Sequence, residues 1–471
     1  MKKLLKSFER SIIFLIKFVM LSLCYLIFYG LYLEAIPTLY RVTSQITIIS
    51  AFIFATTGLL FIRIYGGFAV GEKKSKEINH GLFLAAVMTD LVTFAVMCMV
   101  QKVILPVTPL FIIVIVQYLI IGAAARVGNG FYFALHPPDS TLIIFGDESK
   151  IPVYEAKIGR YKKQWKINER VHYNLDSQDP DEIVFKRREA IRRHAATFVV
   201  DVPPTEAASI VEYCYKHNRK VFLSPSVADI INKTSKHYII DDITVYATTL
   251  SGLSFEQMFI KRFLDIVFSL IGIILATPFL IFSFILVAIG RDGPIFYRQK
   301  RMTRGGKNYN VLKFRTMSTD AEKDSGAVLS AGENDPRITK AGKILRKLRF
   351  DELPQFFNIL FGDMSIVGPR PEREEIAGAL HKDHPEFQYR LKVKAGLTGL
   401  AQIRGKYNTD LLDKLNLDLV YINGYSIWLD IKLVLQTFIV LLKSDSTEGI
   451  KPSEMAQEED KNEQTTDNET F

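Results

Sequence analysis

The chain has 471 residues, with 59 Lys and Arg against 50 Asp and Glu, and 48% of it is apolar. That length allows about three domains, and the apolar residues fall in long blocks, which marks a membrane protein with water-soluble parts. The net charge of +9 favours anionic headgroups or phosphorylated ligands over nucleic acid as partners. The three cysteines, Cys24, Cys98 and Cys214, form no CxxC pair and support neither a disulfide framework nor a zinc site.

Four apolar blocks, 11–33, 46–62, 82–100 and 110–125, open the chain. Each is close to the ~20 residues that cross a bilayer. The first is too long for a cleaved signal and no small-x-small site follows it, so it reads as a retained helix. Leu23 before Cys24 argues against lipoprotein processing. Lys2, Lys3, Lys6 and Arg10 precede the first block, and Arg63, Lys73, Lys74 and Lys76 follow the second. The other loops carry mainly Arg41 and Lys102, so the N-terminus, the second loop and everything after Arg126 are expected in the cytoplasm. Within the blocks, Lys17 can snorkel and Asp90 reads as a structural group facing a neighbouring helix. The four blocks define a transmembrane four-helix region over 1–130.

From 140 to 252 the pattern changes to α/β. Strand-like runs at 141–145, 196–200, 221–223 and 243–246 alternate with helical stretches, which predicts a parallel sheet in a Rossmann-like middle domain. The first run ends in Phe145-Gly146-Asp147-Glu148, with one glycine and two acids where a dinucleotide site needs G-x-G-x-x-G. No nucleotide cofactor is therefore expected there, and a regulatory ligand stays open. His172, His194, His217 and His237 are scattered and need no function.

A fifth apolar block, 263–290, is basic at both ends, with Lys261 and Arg262 before it and Arg291, Arg298, Lys300 and Arg301 after it. Both ends prefer the cytoplasm. Thr277-Pro278 lies in the middle, where proline removes a backbone hydrogen bond and a threonine hydroxyl can satisfy a freed group. The expectation is a re-entrant helix-break-helix that bends at Thr277-Pro278, with Asp265 near headgroup depth reaching the basic flank.

The segment 291–350 carries 15 Lys and Arg against 6 Asp and Glu, and directly after it stand the adjacent carboxylates Asp351 and Glu352. Cations of this density suit a phosphorylated substrate, and paired carboxylates suit metal binding or attack. Helix capping by Asp351 is the plainer alternative. Further on, 402–410 is polar. The stretch 427–443 is short and apolar with Trp428 at its start, which fits an interfacial helix. Residues 444–471 hold 9 acidic and 2 basic residues and read as a disordered acidic tail.

Several motifs appear in order: Lys261-Arg262 with Asp265, Gly293-Pro294-Ile295-Phe296, Lys313-Phe314-Arg315-Thr316-Met317, Asp335-Pro336-Arg337-Ile338-Thr339, Asp351-Glu352-Leu353-Pro354-Gln355, Gly368-Pro369-Arg370-Pro371 and Gly396-Leu397-Thr398-Gly399. Over about 259–443 the chain thereby resembles the bacterial sugar transferases, the monotopic polyprenyl-phosphate phosphoglycosyl transferases. Long members of that family carry four transmembrane helices and a Rossmann-like module upstream. The resemblance implies a mostly α-helical catalytic domain over 256–443 with the re-entrant helix at 263–290. It also implies transfer of a sugar-1-phosphate from a nucleotide-diphosphate sugar, taken as a UDP-sugar, to a polyprenyl phosphate, taken as undecaprenyl phosphate. This is the initiating step of exopolysaccharide, capsule or O-antigen type synthesis. In the family the Asp of the dyad is the nucleophile and Mg2+ assists, which assigns attack to Asp351 and metal or proton handling to Glu352. Arg315, Arg337, Arg370 and Lys313 become candidates for the substrate phosphates, with Arg349 a weaker one, since Arg binds phosphate in fixed bidentate geometry. The expected partners are the nucleotide-sugar, the polyprenyl phosphate and membrane lipid; no nucleic acid is expected, and a homo-oligomer stays open. A membrane-anchored dehydratase is the rival enzyme, but its Tyr-x-x-x-Lys is matched only by Tyr309–Lys313, outside any Rossmann unit. A non-catalytic scaffold is the other rival.

Overall fold

The computed structural model describes residues 8–35, 45–174, 180–233, 235–248, 252–290, 293–318, 337–405 and 409–441. Lys2, Lys3, Lys6, Arg41, Arg291, the Asp335-Pro336 pair, residues 406–408 and the acidic stretch from 444 lie outside them. The chain forms two compact units, 1–224 and 225–471.

The first unit begins with α1 (Glu9–Ala35), α2 (Gln45–Tyr65), α3 (Ser75–Gln101) and α4 (Thr108–Leu135). All four are long and apolar enough to cross a membrane. Small residues let them approach: a methyl on Gly58 would overlap Leu21, and one on Gly81 would overlap the Tyr65 carbonyl. Asp90 is buried and accepts a 3.1 Å bond from Gln117 Nε2, so the facing-helix partner expected for it is a glutamine on α4.

Three residues after α4 the chain enters β1 (Asp139–Phe145), followed by α5 (Ile151–Gly159), β2 (Trp165–His172), α6 (Pro180–Arg193), β3 (Ala196–Val200), α7 (Pro204–Lys216) and β4 (Lys220–Leu223). The four strands are parallel in the order β2-β1-β3-β4. Leu142, Ile144, Ala190, Ile191, Val199 and Cys214 form the core on one face and Ile143, Ile158 and Val200 on the other. The apolar runs at 141–145, 196–200 and 221–223 are strands of this sheet. β2 lacks such a run, because its KINERVH stretch alternates polar and apolar residues along an edge. The run at 243–246 is not in the sheet: β6 (Ile243–Ala247) pairs antiparallel with β5 (Lys236–Ile240) in the second unit, where α8 (Val227–Lys233) precedes them.

The second unit is built along α9 (Phe255–Ile289). Ser254 and Gln257 form a capping box at its start, each side chain accepting from the other's backbone N–H. α9 stays helical through Pro278 over 35 residues, so its two halves are joined by helix rather than by a non-helical break. Proline leaves the Ile274 carbonyl without its usual donor, and the Thr277 hydroxyl bonds the neighbouring Ile273 carbonyl at 2.8 Å, so the helix loses one bond without being interrupted.

After α9 come the antiparallel β7 (Phe296–Met302) and β8 (Asn308–Phe314), α10 (Lys340–Leu348), a 3-10 turn at Phe350–Glu352, α11 (Gln355–Phe361) and β9 (Ser365–Val367). The chain closes with α12 (Glu374–Asp383), a 3-10 stretch at Pro385–Lys392, β10 (Gly396–Thr398), α13 (Leu400–Arg404), α14 (Leu411–Asn423) and α15 (Ile427–Leu441). Both halves of α9 pack on this body. Arg262 donates to the Ile359 and Leu360 carbonyls at 2.6 and 2.7 Å, closing the C-terminus of α11. Gly272 meets the Phe356 ring, Phe279 packs on Phe350, and Val287 joins Phe314 and Leu345. The rest of α9 is apolar and exposed, including Phe263, Ile274, Phe282 and Ile289. Among the described residues Asp265 makes no ion pair with the basic flank. It is buried and accepts from Ser365 Oγ and Ile366 N, both at 2.9 Å, which fixes β9 against α9. Lys261 bonds Asp430 of α15 at 2.6 Å, and Tyr421 donates to the same carboxylate at 2.9 Å. Trp428 stays half exposed beside that anchor.

Candidate active site

The dyad lies between two helices that leave it in a tight turn. α10 ends at Arg349, whose φ of 56° is left-handed, an unfavourable conformation for a residue with a Cβ. Arg349 thereby closes α10 and brings its charge near Glu352. The chain then enters the 3-10 turn that holds Asp351 and Glu352, and Pro354 occupies the N-cap of α11 without any side-chain cap bond. The capping alternative for Asp351 is thus not what this helix uses. At three residues per turn, Asp351 and Glu352 point about 120° apart and face different surroundings.

Glu352 is clamped. Lys313 Nζ donates to its Oε1 at 2.8 Å, and Arg370 Nη2 stands 3.6 Å from the same oxygen. Burial alone would raise this carboxyl, but the charges of Lys313, Arg370 and Arg349 outweigh it and hold Glu352 well below the usual carboxylate range. Asp351 makes none of the ion pairs found among the described residues. Burial, and then the neighbouring Glu352 charge, push its pKa up to about 6 against the pull of Lys313 and Arg346. One carboxylate is fixed and stays ionised; the other is more basic and lacks a clamp.

The cations arrive from three segments. β8 carries Lys313, and Asn358 of α11 holds this strand by accepting from Leu312 N and donating to the Asn310 carbonyl, both at 2.9 Å. Past β8 the chain stays extended, with Arg315 N bonded to the Ile295 carbonyl, so Arg315 shares the face of Lys313. Its side chain is buried, and Nε and Nη1 have no hydrogen-bond partner among the described residues. A buried guanidinium with idle donors is costly unless an anion completes it. Arg337 lies beside the Met317–Ile338 bridge, its carbonyl accepting from Ser318 N at 3.0 Å.

Arg370 is set by the backbone around it. Gly368 N bonds the Thr398 carbonyl and Gly396 N bonds the Pro369 carbonyl. A methyl on Gly368 would overlap the Lys394 carbonyl, and one on Gly399 would overlap the Gly368 carbonyl. The Gly-Pro-Arg-Pro and Gly-Leu-Thr-Gly motifs are therefore two halves of one close backbone contact. Behind the turn, Arg390 donates to the Arg370 carbonyl at 2.9 Å and pairs with Asp418 at 2.8 Å and Glu372 at 3.5 Å. Neither Arg390 nor Asp418 stands in a local motif, and Arg390 lies among Glu386, Gln388 and Lys392, so no local signal marks the pair.

The structure thus brings Asp351, Glu352, Lys313 and Arg370 together and puts Arg315 on the same strand face. Thr277 and Pro278 belong to α9, outside this cluster. Among the described residues no three His, Cys, Asp or Glu side chains gather as a metal cage. Two adjacent carboxylates do fit a hard cation that takes one or two protein oxygens and fills its shell with phosphate and water. Tyr309 and Lys313 lie on one antiparallel strand with Lys313 engaged by Glu352, so they do not form a dehydratase pair.

The sequence model of the family described as bacterial sugar transferase matches residues 256–444. A UDP-N-acetylgalactosamine-undecaprenyl-phosphate N-acetylgalactosaminephosphotransferase of Aeromonas hydrophila is 38% identical over 187 residues, 39% of this chain and 44% of that protein. A UDP-glucose:undecaprenyl-phosphate glucose-1-phosphate transferase of Klebsiella pneumoniae is 42% identical over 200 residues, 41% of this chain and 42% of that protein. The enzyme of the same description from Caulobacter vibrioides is 38% identical over 196 residues, 40% of this chain but 71% of its own length. The chain spans less than half the length of the first two relatives.

Proposed function

Because the chain belongs to the bacterial sugar transferase family, we propose that it transfers a sugar-1-phosphate from a UDP-sugar to undecaprenyl phosphate, starting a surface glycan on its lipid carrier. The observation that carries this reading is the split dyad: Glu352 fixed by Lys313 and Arg370, and Asp351 beside it with its pKa near 6.

The Asp351 carboxylate attacks the phosphorus that bears the sugar. The bond to the bridging oxygen breaks, the nucleoside monophosphate leaves with the electron pair, and an aspartyl-phosphosugar remains. An oxygen of the polyprenyl phosphate then attacks the same phosphorus, the acyl-phosphate bond breaks, and Asp351 is regenerated as the carboxylate. Arg370 and Arg315 stabilise charge on the donor's diphosphate, with Arg337 a further candidate. Lys313 keeps Glu352 oriented. The same two carboxylates, Asp351 and Glu352, would hold a Mg2+ ion, which screens the charge between nucleophile and diphosphate.

On the same reading α1–α4 form a transmembrane bundle in the inner membrane, and the parallel sheet is a Rossmann-like domain in the cytoplasm. α9 enters the membrane, bends at Pro278 while remaining helical, and returns as a re-entrant helix. Packing of both its halves on one body supports this, since a crossing helix would carry half its length away from that body. The sugar is a matter for experiment, as the relatives named above take different ones. Release of nucleoside monophosphate from a panel of nucleotide-sugars, with undecaprenyl phosphate present, tests the reading. Release from one or a few UDP-sugars is expected; no release from any donor would leave the scaffold reading.

A further inference from the structure

The first unit carries a charge asymmetry that the transfer reaction does not use. In a parallel sheet with crossover helices, the C-terminus of each helix lies at the end where the next strand begins. α5, α6 and α7 therefore turn into β2, β3 and β4 at the rim where β1 also starts. β1 begins three residues after α4, so at most about 14 Å of chain separates Leu135 from Asp139. Side chains tie this rim to the helix ends: Gln164 Nε2 donates to the Lys73 carbonyl at 3.3 Å, Lys74 Nζ lies 5.2 Å from the Tyr161 ring centroid, and Lys163 Nζ lies 5.5 Å from that of Phe133.

The three turns on this rim, 159–164, 192–195 and 216–220, hold eight Lys and Arg and no Asp or Glu. Lys162, Lys163, Arg192 and Lys216 are exposed and have no carboxylate within 4 Å among the described residues. Arg193 and Lys220 pair with Glu169 and Asp139, and Arg219 donates to the Arg192 carbonyl. The His217 imidazole is held below its usual value, by desolvation first and then by Arg192, Lys216, Arg219 and Arg188, so the positive field there is uncompensated. The opposite rim carries Asp147, Glu148 and Asp201, with Lys150 paired to Asp201.

We propose that the strand-N-terminal rim of the α/β domain is a docking face for anionic lipid headgroups, holding the domain on the bilayer that surrounds α1–α4. This rests on the reading of those helices as membrane spans. Cations on three separate turns along one edge suit a flat surface of many phosphates better than a single small anion, and each such cation near an anionic leaflet contributes about a fivefold partition factor.

The full chain in lipid nanodiscs tests this by amide hydrogen exchange. Turns 159–164, 192–195 and 216–220 should exchange more slowly, by about fivefold or more, in phosphatidylcholine–phosphatidylglycerol discs than in phosphatidylcholine discs. The difference should vanish near about 1 M salt, where the Debye length is about 3 Å, and shrink in Lys163→Glu and Arg192→Glu, with the disc-embedded helices unchanged. Equal exchange in both discs overturns the proposal. Salt-sensitive protection of equal size in both assigns the rim to another anion and also overturns it. Fast exchange along α1 and α4 in both compositions would instead sink the membrane reading on which it rests.

Discussion

Lys313 Nζ stands 2.8 Å from Glu352 Oε1, while Asp351, one residue earlier in the same 3-10 turn, makes no ion pair among the described residues. The two carboxylates of the dyad therefore have different chemistry before any substrate arrives. Lys313→Met should remove the clamp and let Glu352 move and gain protons. A misplacement of that size costs on the order of a hundredfold in turnover. Steady-state release of nucleoside monophosphate checks this; a change below about threefold would mean that the pair is structural only.

Activity should fall on the acid side through Asp351. Its pKa is raised to about 6, and the deprotonated form is the one that attacks, so the rate is full above that value and drops as pH falls through it. The adjacent Glu352 charge is part of the cause, so Glu352→Gln should move the acid limb down in pH while burial keeps it above the ordinary carboxylate range. The pH profile of kcat/KM for nucleoside monophosphate release measures both.

Gly368→Ala places a methyl against the Lys394 carbonyl, where φ/ψ freedom is not the issue and close approach is. We expect a loss of ~1–3 kcal/mol in stability and a larger fractional loss of activity, because the displaced turn carries Arg370. Gly378→Ala, inside α12 with open space around it, is the control and should leave turnover unchanged and the melting temperature unchanged or slightly raised.

Arg390 and Asp418 position Arg370 through its carbonyl. Asp418→Ala leaves the buried Arg390 guanidinium with Glu372 at 3.5 Å as its remaining charged partner beside the Arg370 carbonyl, and should destabilise the protein by ~3 kcal/mol. Replacing both partners, as Arg390→Met with Asp418→Leu, should recover most of that stability but not the KM for the nucleotide-sugar. Recovery of both would show that the pair serves packing alone.

Much of this site was legible locally. The dyad, Lys313, Arg315 and Arg370 stand in short motifs, and the long helices follow from uninterrupted apolar blocks. What sequence reasoning could not supply were pairings between distant residues: Asp265 with Ser365, Lys261 with Asp430, and Arg390 with Asp418. Each joins elements whose neighbourhood is decided by packing, so no periodicity announces it. At Thr277-Pro278 the chain stays helical for a related reason. One lost hydrogen bond in a helix packed at both ends is a small perturbation, and the helix runs on. β2 was missed because its alternation reads as polar surface, and the strand at 243–246 was given to the wrong sheet because partner choice is not written in a strand's own residues.

The central claim is that Asp351 forms a covalent bond to the phosphosugar. Exchange of labelled nucleoside monophosphate into the nucleotide-sugar, without any polyprenyl phosphate, reads that step alone. The native chain should catalyse the exchange, Asp351→Asn should show none, and Arg370→Lys should be slowed by about a hundredfold because the planar fork is lost. Exchange that persists in Asp351→Asn would contradict the account.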